Sequence, residues 1–465
     1  MTWSFNSGLN AVGANPNKVN LLGQRVNYLT GMKSKSRNHQ LSVSKADLPK
    51  VLAVSYSYPP ETEPRAIQVS RLLRHLEVST VLVCAESSSQ SEGIKIDGLG
   101  DSESFLQAIL RVPFSPAKWR RLMNGAARRV YIPVWSRTPD PLVPWKRPVL
   151  TTVENYIRST GYRPNVLMTF AFPLIDSLIG LELKRRHNFP WLAHFSDPWV
   201  DSPFKVFDPL SRALNVRLER QVIENADRVV FTSEETADLV MAKYDASLRA
   251  KVDVVPHAYE AQLFRQCQNV DDDRMTIRFL GDLYLSRTPK PLFDALRILS
   301  SSDAETLSKF RFEIIGSVHD REPHETDLHD LPSNLVVFRP RVSYLESLEL
   351  MSSANGLMVI DAPAEQNKKS VFLPSKLIEY VGGGRPIIGL TPPGAAANLI
   401  ERLGGWVADP GNTDDIARTL RHFLSFLNKQ NERSGTWGEA AVRREYQAPA
   451  VAAKFKEIIL ELSGH

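Results

Sequence analysis

The sequence predicts an α/β protein built from two doubly wound parallel-sheet domains. Short apolar runs alternate with amphipathic helical patterns from about Lys50 to the C-terminal end, the signature of repeated strand-helix-strand units. The alternation breaks once, at the acidic stretch "NVDDDR", so the units fall into two series of similar size. At 465 residues the chain is also too long for one core. The expected segments are a flexible tail over 1–46, a first Rossmann-like domain over 47–265 and a linker over 266–274. A second Rossmann-like domain follows over 275–430, and a C-terminal helix over 431–465 is expected to pack back on the first domain.

The tail is rich in Asn, Ser, Lys and Gly and has no sustained period, which argues against a packed element. Order begins at "KVLAVSYSYPP", a buried-type strand ending in a Tyr/Pro loop. "RAIQVSRLLRHL" follows, where Val69, Leu72, Leu73 and Leu76 share one helical face. "STVLVCA", "PNVLMTF", "PWLAHFSD", "DRVVFTS" and "KVDVVPH" read as further strands, with helical patterns between the later ones. The second series opens at "MTIRFLGDL" and continues through the strands "FRFEIIGS", "NLVVFRP", "GLMVID", "RPIIGL" and "GWVAD". Two such domains leave a cleft between the carboxyl ends of their strands, where open parallel sheets bind ligands.

Composition narrows the class. The hydrophobic fraction is 43% and the charged fraction 23%, values of an ordinary globular protein. Two cysteines, Cys84 and Cys267, offer neither a disulfide framework nor metal-ligand spacing, and point to a reducing, cytoplasmic compartment. No charged-then-apolar leader opens the chain, and the longest apolar region, 166–183, is interrupted by Pro173 and Asp176, so no membrane span is expected. The net charge of +5 is concentrated in residues 111–147, which hold nine Lys or Arg against one acid, Asp140. Trp119, Tyr131, Trp135 and Trp145 are interleaved with those cations. The mixture suits either an anionic lipid surface or a solvated basic face whose aromatics pack inward. No nucleic-acid module motif accompanies it, so no nucleic-acid partner is expected.

Three stretches have the residue types of a binding site. In "FLGDLYLSRTPKPLFDAL" a strand ends at Gly281, a loop carries Arg287 and Lys290, and a helix begins near Pro291. Fixed cations beside a helix N-terminus suit a phosphate or diphosphate; the alternative is a decorated surface loop. In "SVFLPSKLIEYVGGGRPIIGL" a helix starts at Pro374 and Ser375, so its first N–H groups and Lys376 can hold an anion. Glu379, one turn on, can accept hydrogen bonds from a diol; the alternative is a Lys–Glu surface pair ended by glycine. In "HFSDPWVDSP", Asp197 sits where a strand meets the cleft, either to orient a hydroxyl or as a turn acid, and His194 reads as an ordinary strand residue. Asp271, Asp272 and Asp273 read as a solvated linker, not a metal site. No glycine-rich dinucleotide fingerprint follows the first strand, where "SYSYPPETEPR" stands instead.

Together these residues resemble the retaining glycosyltransferases of family 4, which have the two-domain GT-B fold. The resemblance rests on Gly281, Arg287 and "LFDA", on "PSKLIEYVGGGRPII", and on "RPRVSY" from Arg339 to Tyr344. In the first domain it rests on "YPP", "PDPLVPW", "SDPW", "ADRVVFTSE" and "VVPHAYEAQLF", in the order seen in bacterial polysaccharide-building members. It implies a nucleotide-diphosphate sugar as donor, a glycan or lipid-linked acceptor, no metal or other cofactor, and a cytoplasmic place, peripheral on the inner face of the plasma membrane. It implies donor binding by Gly281, Arg287, Lys290, Val342, Ser375, Lys376, Leu377 and Glu379, with Glu379 on the ribose. It further implies catalytic roles for Asp197, Arg287 and Lys376, and an acceptor side near Pro59, Pro60 and Arg65. Two positions depart from the family pattern. Val371 stands where many members carry an acid, in E-x7-E spacing, and Asp282 stands where many carry Arg. Those departures leave room for a non-catalytic nucleotide-binding protein; the other alternative, a nucleotide-sugar epimerase of the same fold, would need an acid/base set at the cleft that the sequence does not offer.

Overall fold

The computed structural model describes residues 48–61, 63–86, 103–114, 138–203, 205, 207–264, 274–283, 286–317, 328–364, 369–429 and 435–464. The tail over 1–46, most of the 266–274 linker with Asp271 to Asp273, Cys267, and Trp119, Tyr131 and Trp135 lie outside the described residues.

The first sheet holds β1 (Lys50–Val54), β2 (Ser79–Ala85), β3 (Ala108–Val112), β4 (Val166–Phe170), β5 (Trp191–Phe195), β6 (Arg228–Phe231) and β7 (Val252–Val254). Their order is β3-β2-β1-β4-β5-β6-β7, and every pairing is parallel. Strands β4 and β5 are buried along their whole length, because helices cover both faces of a parallel sheet. Those helices are α1 (Pro64–His75), α2 (Lys146–Thr160), α3 (Ile175–His187), α4 (Pro209–Asn225) and α5 (Glu234–Met241).

The second sheet holds β8 (Met275–Leu280), β9 (Phe310–Ile315), β10 (Val336–Arg339), β11 (Gly356–Ile360), β12 (Ile387–Leu390) and β13 (Trp406–Ala408), in the order β10-β9-β8-β11-β12-β13 and again all parallel. Its helices are α6 (Lys290–Ser302), α7 (Ala304–Ser308), α8 (Tyr344–Ser352), α9 (Ser375–Gly383), α10 (Ala395–Arg402) and α11 (Thr413–Lys429). Strand order reverses between β1 and β4 in one sheet and between β8 and β11 in the other. The loops after those strands therefore open the crevices in which doubly wound sheets take ligands.

Two last helices, α12 (Ala440–Glu445) and α13 (Ala448–Ser463), return the chain to the first domain. Val451, Phe455 and Ile459 of α13 lie in one apolar cluster with Val69 of α1 and Met168 of β4. The outgoing and returning strands of chain are tied where they pass: Tyr259 N donates to Tyr446 O at 2.9 Å, and Ala448 N to Tyr259 O at 3.0 Å.

Besides α12, three elements go beyond the expected alternation. β3 is an edge strand, half-buried and carrying Arg111, so it lacks the continuous apolar run of its neighbours. Helix α2 has an apolar face of Val149, Leu150 and Val153 within a stretch whose charge dominates its reading. Helix α7 is a single turn. The basic segment is also partly used internally. Trp145 is fully buried, edge-on to Tyr56 at 4.9 Å, and Arg111 bonds Glu103 at 2.6 Å and Pro59 O at 3.1 Å. These two residues therefore do not face a lipid surface. Among the described residues no helix is long and apolar enough to cross a membrane.

Candidate donor site at the second switch point

Strand β8 ends at Gly281, whose φ of +137° suits only glycine. A Cβ there would lie 2.5 Å from Lys376 Nζ, so the missing side chain is what lets the lysine reach the strand end. Gly316, after β9, has φ +141°, and a Cβ on it would lie 2.2 Å from Gly281 O. Tyr380 locks α9 beneath this turn by accepting from Leu280 N at 2.8 Å. Helix α9 begins after Pro374 with no side-chain cap, so its first turn keeps donors for an anion.

Lys376 Nζ stands 4.4 Å from the centroid of the Phe279 ring, a favourable seat for a buried cation. Burial, and then the neighbouring Arg287 charge, lower its pKa from 10.5 to about 8, against the pull of Asp282 and Asp361. Arg287 reaches the same place from the loop after β8, and its Nε donates to Asp361 Oδ1 at 2.8 Å. Asp361 follows β11, so the pair spans the reversal point of the sheet.

Gly281, Val342, Ser375, Lys376 and Glu379 line one cavity of about 220 Å³, with α1 closing it from the first domain. Glu379 Oε1 bonds Arg71 Nη1 at 3.0 Å and Tyr344 OH at 3.1 Å, while Oε2 is buried without a hydrogen-bond partner. Three expected donor residues are not in this lining: Arg287, which pairs with Asp361 beside it, Lys290 and Leu377. Lys290 is 69% exposed, with Nζ 3.1 Å from Asp294 one turn along α6. Leu377 is fully buried in the apolar core, and its N–H already donates to Pro374 O at 3.0 Å.

The two departures from the family pattern have structural uses. Asp282 Oδ1 accepts from Ser317 N at 3.0 Å and Oδ2 pairs with Arg341, which brings a cation to the cavity wall that the sequence reading had not assigned. Val371 is buried, and its carbonyl accepts from Ser233 Oγ and Thr236 Oγ1 of the first domain, each at 2.9 Å.

Across the cleft, burial raises the Asp197 carboxyl above the usual range, opposed by the charges of Arg65, Lys205 and Arg287. Arg65 donates to Ala171 O and lies 5.8 Å from the Phe170 ring centroid. Burial pushes its pKa down to about 10. Pro59 is buried and Pro60 half-buried, in the loop after β1. His194 is buried in β5 and held well below its ordinary pKa by burial and the Arg65 charge. A larger cavity, about 490 Å³, lies outside α2 beside Arg147, Arg158 and Arg186. It runs along α2, and Arg186 there is already paired with Glu154 and Glu182.

Residues 62–258 match the glycosyl transferase 4-like domain. No curated protein sequence matches the chain significantly. Among solved structures, sucrose-phosphate synthase from Thermosynechococcus elongatus is similar at a TM-score of 0.62 and 15% identity, covering 90% of this chain and 99% of its own. Anabaena HepE, in complex with UDP and glucose, is similar at 0.58 and 13%, covering 89% and 100%. The lipopolysaccharide outer core galactosyltransferase WaaB is similar at 0.56 and 14%, covering 89% and 99%. The family match covers residues 62–258, and the chain has the two-domain GT-B fold that the sequence resemblance implied.

Proposed function

We propose that this protein transfers a glycosyl group from a nucleotide-diphosphate sugar to a glycan or lipid-linked acceptor with retention of configuration, in cell-surface polysaccharide synthesis. One observation carries the reading. Lys376 and the start of α9 meet the glycine turn at the second switch point, with the Arg287–Asp361 pair beside Lys376 and the unpartnered Glu379 Oε2 one helical turn away. That is a diphosphate cradle with a diol acceptor beside it.

As the glycosidic C–O bond breaks, negative charge gathers on the departing diphosphate. The two cations and the α9 N–H groups then stabilise the transition state more than the ground state. On this reading the fixed cations do what a metal would otherwise do. The departing phosphate oxygen takes the acceptor hydroxyl proton on the same face of the sugar. Asp197 orients the reacting partners, and Arg65 with Pro60 faces the acceptor. The acceptor meets the protein on the cytoplasmic side of the membrane, where the basic segment 111–147 meets acidic lipid. Equal sedimentation with acidic and neutral vesicles would sink that part.

The test is nucleotide release from a panel of sugar donors, with uridine diphosphate sugars first because the HepE structure holds UDP and glucose. The product's anomeric configuration is read by NMR. An α-linked donor is expected to give an α-linked product. A β-linked product overturns retention, and no release from any donor with any acceptor extract overturns the enzymatic reading.

A further inference from the structure

Arg71 belongs to α1 of the first domain, yet its guanidinium ends among groups of the second. Nη1 donates to Glu379 Oε1 at 3.0 Å and also to Ala258 O, and Nη2 donates to Tyr344 OH at 2.5 Å. Tyr344 OH donates in turn to the same Glu379 oxygen at 3.1 Å. The cluster is dry: Arg71 is 5% exposed and Glu379 13%. One carboxylate oxygen is therefore held twice, while the other is buried and unpartnered in a residue that lines the cavity.

A free glutamate side chain would have to give up rotamer freedom when a ligand arrives. Here that freedom is already lost, and the guanidinium balances the buried charge without occupying Oε2. An ionised carboxylate left without such a partner in a dry site is costly. The fork of an arginine suits the task because it spans Glu379, Tyr344 and the Ala258 carbonyl at once.

We propose that Arg71 is a positioning residue for the donor: with Tyr344 it fixes Glu379 so that Oε2 faces the ribose hydroxyls, and the donor site is complete only when the first domain supplies Arg71. This rests on the reading of Glu379 as the ribose acceptor given above. It adds a residue from the other domain, 308 positions away in sequence, and makes nucleotide recognition depend on closure of the cleft.

The test uses the full chain and calorimetric titration with uridine, guanosine and adenosine diphosphates, each beside its 2′-deoxy counterpart. The variants are Arg71→Met, Arg71→Lys and Glu379→Gln. The wild type is expected to prefer one ribonucleotide over its deoxy form by on the order of tenfold, the worth of one hydrogen bond to a charged acceptor. Arg71→Met is expected to lose that preference through weaker ribonucleotide binding, with deoxynucleotide affinity unchanged, and Arg71→Lys to recover part of it. An undiminished preference in Arg71→Met overturns the proposal. So does an equal loss for both nucleotides, which would mark a merely structural role. If Arg71→Met does not fold, Arg71→Lys decides alone: a reduced preference supports the proposal and a wild-type preference overturns it. A wild type without ribose preference, or a Glu379→Gln that keeps it, instead overturns the ribose reading of Glu379 and the proposal with it. That outcome is visible without any Arg71 variant.

Discussion

Arg287 and Asp361 form a buried ion pair across the reversal point of the second sheet, Nε to Oδ1 at 2.8 Å, with 8% and 4% of their side chains exposed. Asp361 Oδ1 also accepts from Ala362 N at 2.9 Å, so the carboxylate is anchored to its own strand end. The pair holds a cation where β8 and β11 diverge, which is where the diphosphate is proposed to lie.

On the proposed mechanism, removing that cation removes a contact that strengthens as the leaving group ionises. Arg287→Ala is expected to lower turnover by on the order of 10²-fold or more, read as nucleotide release, and a change within about threefold would contradict the role. Asp361→Asn is expected to lower turnover in the same direction, because Arg287 loses its anchor.

Lys376 gives the site a pH dependence. Its ammonium is lowered to about 8 by burial and by Arg287, so it is charged below that pH and neutral above it. Affinity for a nucleoside diphosphate is expected to fall as pH rises through about 8, and to lose that dependence in Lys376→Met. Ligand-free folding has the opposite slope. The unfolded chain keeps the lysine protonated up to its ordinary value of 10.5, so this group's contribution to stability rises with pH between about 8 and 10.5. A wild-type affinity that rises with pH would contradict the assignment.

Lys290 serves as an internal control. It is 69% exposed and pairs with the i+4 carboxylate of Asp294, an interaction of small worth. Lys290→Ala is expected to leave nucleotide affinity unchanged and stability within about 0.5 kcal/mol of wild type. A clear loss of affinity would return Lys290 to the donor site.

Phe455 tests the return of the chain to the first domain. It is 2% exposed in a cluster with Val69, Met168 and Phe170, and truncation of such a side chain typically costs about 3–5 kcal/mol. Phe455→Ala is expected to lower the midpoint of denaturant unfolding accordingly. A loss below about 1 kcal/mol would mean that α13 is not an integral part of that core.

Strands such as β1 and β11 were legible in the sequence because buried parallel strands are continuous apolar runs. β3 was not, because Arg111 on an edge strand interrupts the run and finds its partners, Glu103 and Pro59 O, only in three dimensions. The site divides along the same line. Gly281, Arg287, Lys376 and Glu379 sit in two strand-loop-helix units, where spacing along the chain reports spacing in space. Arg71 and Asp361 reach Glu379 and Arg287 across 308 and 74 positions, and no local pattern carries that information. Lys290 shows the converse error: it lies near Arg287 in the chain, but the helix turns it toward Asp294 and solvent. Of the two readings open for the aromatics of the basic segment, Trp145 follows the inward-packing one, fully buried against Tyr56.

The most direct measurement is the thermal midpoint of the wild type, Arg287→Ala and Glu379→Ala with UDP, GDP, CMP, dTDP and ADP. A ligand at 100 times its dissociation constant adds roughly 2.7 kcal/mol to folding stability, readily seen as a raised midpoint. A response of the wild type to one nucleotide, absent in both variants, is the expected result and places the nucleotide in the second-domain cavity. An equal response in the variants, or none in the wild type, would contradict the assignment of that cavity to a nucleotide-sugar donor.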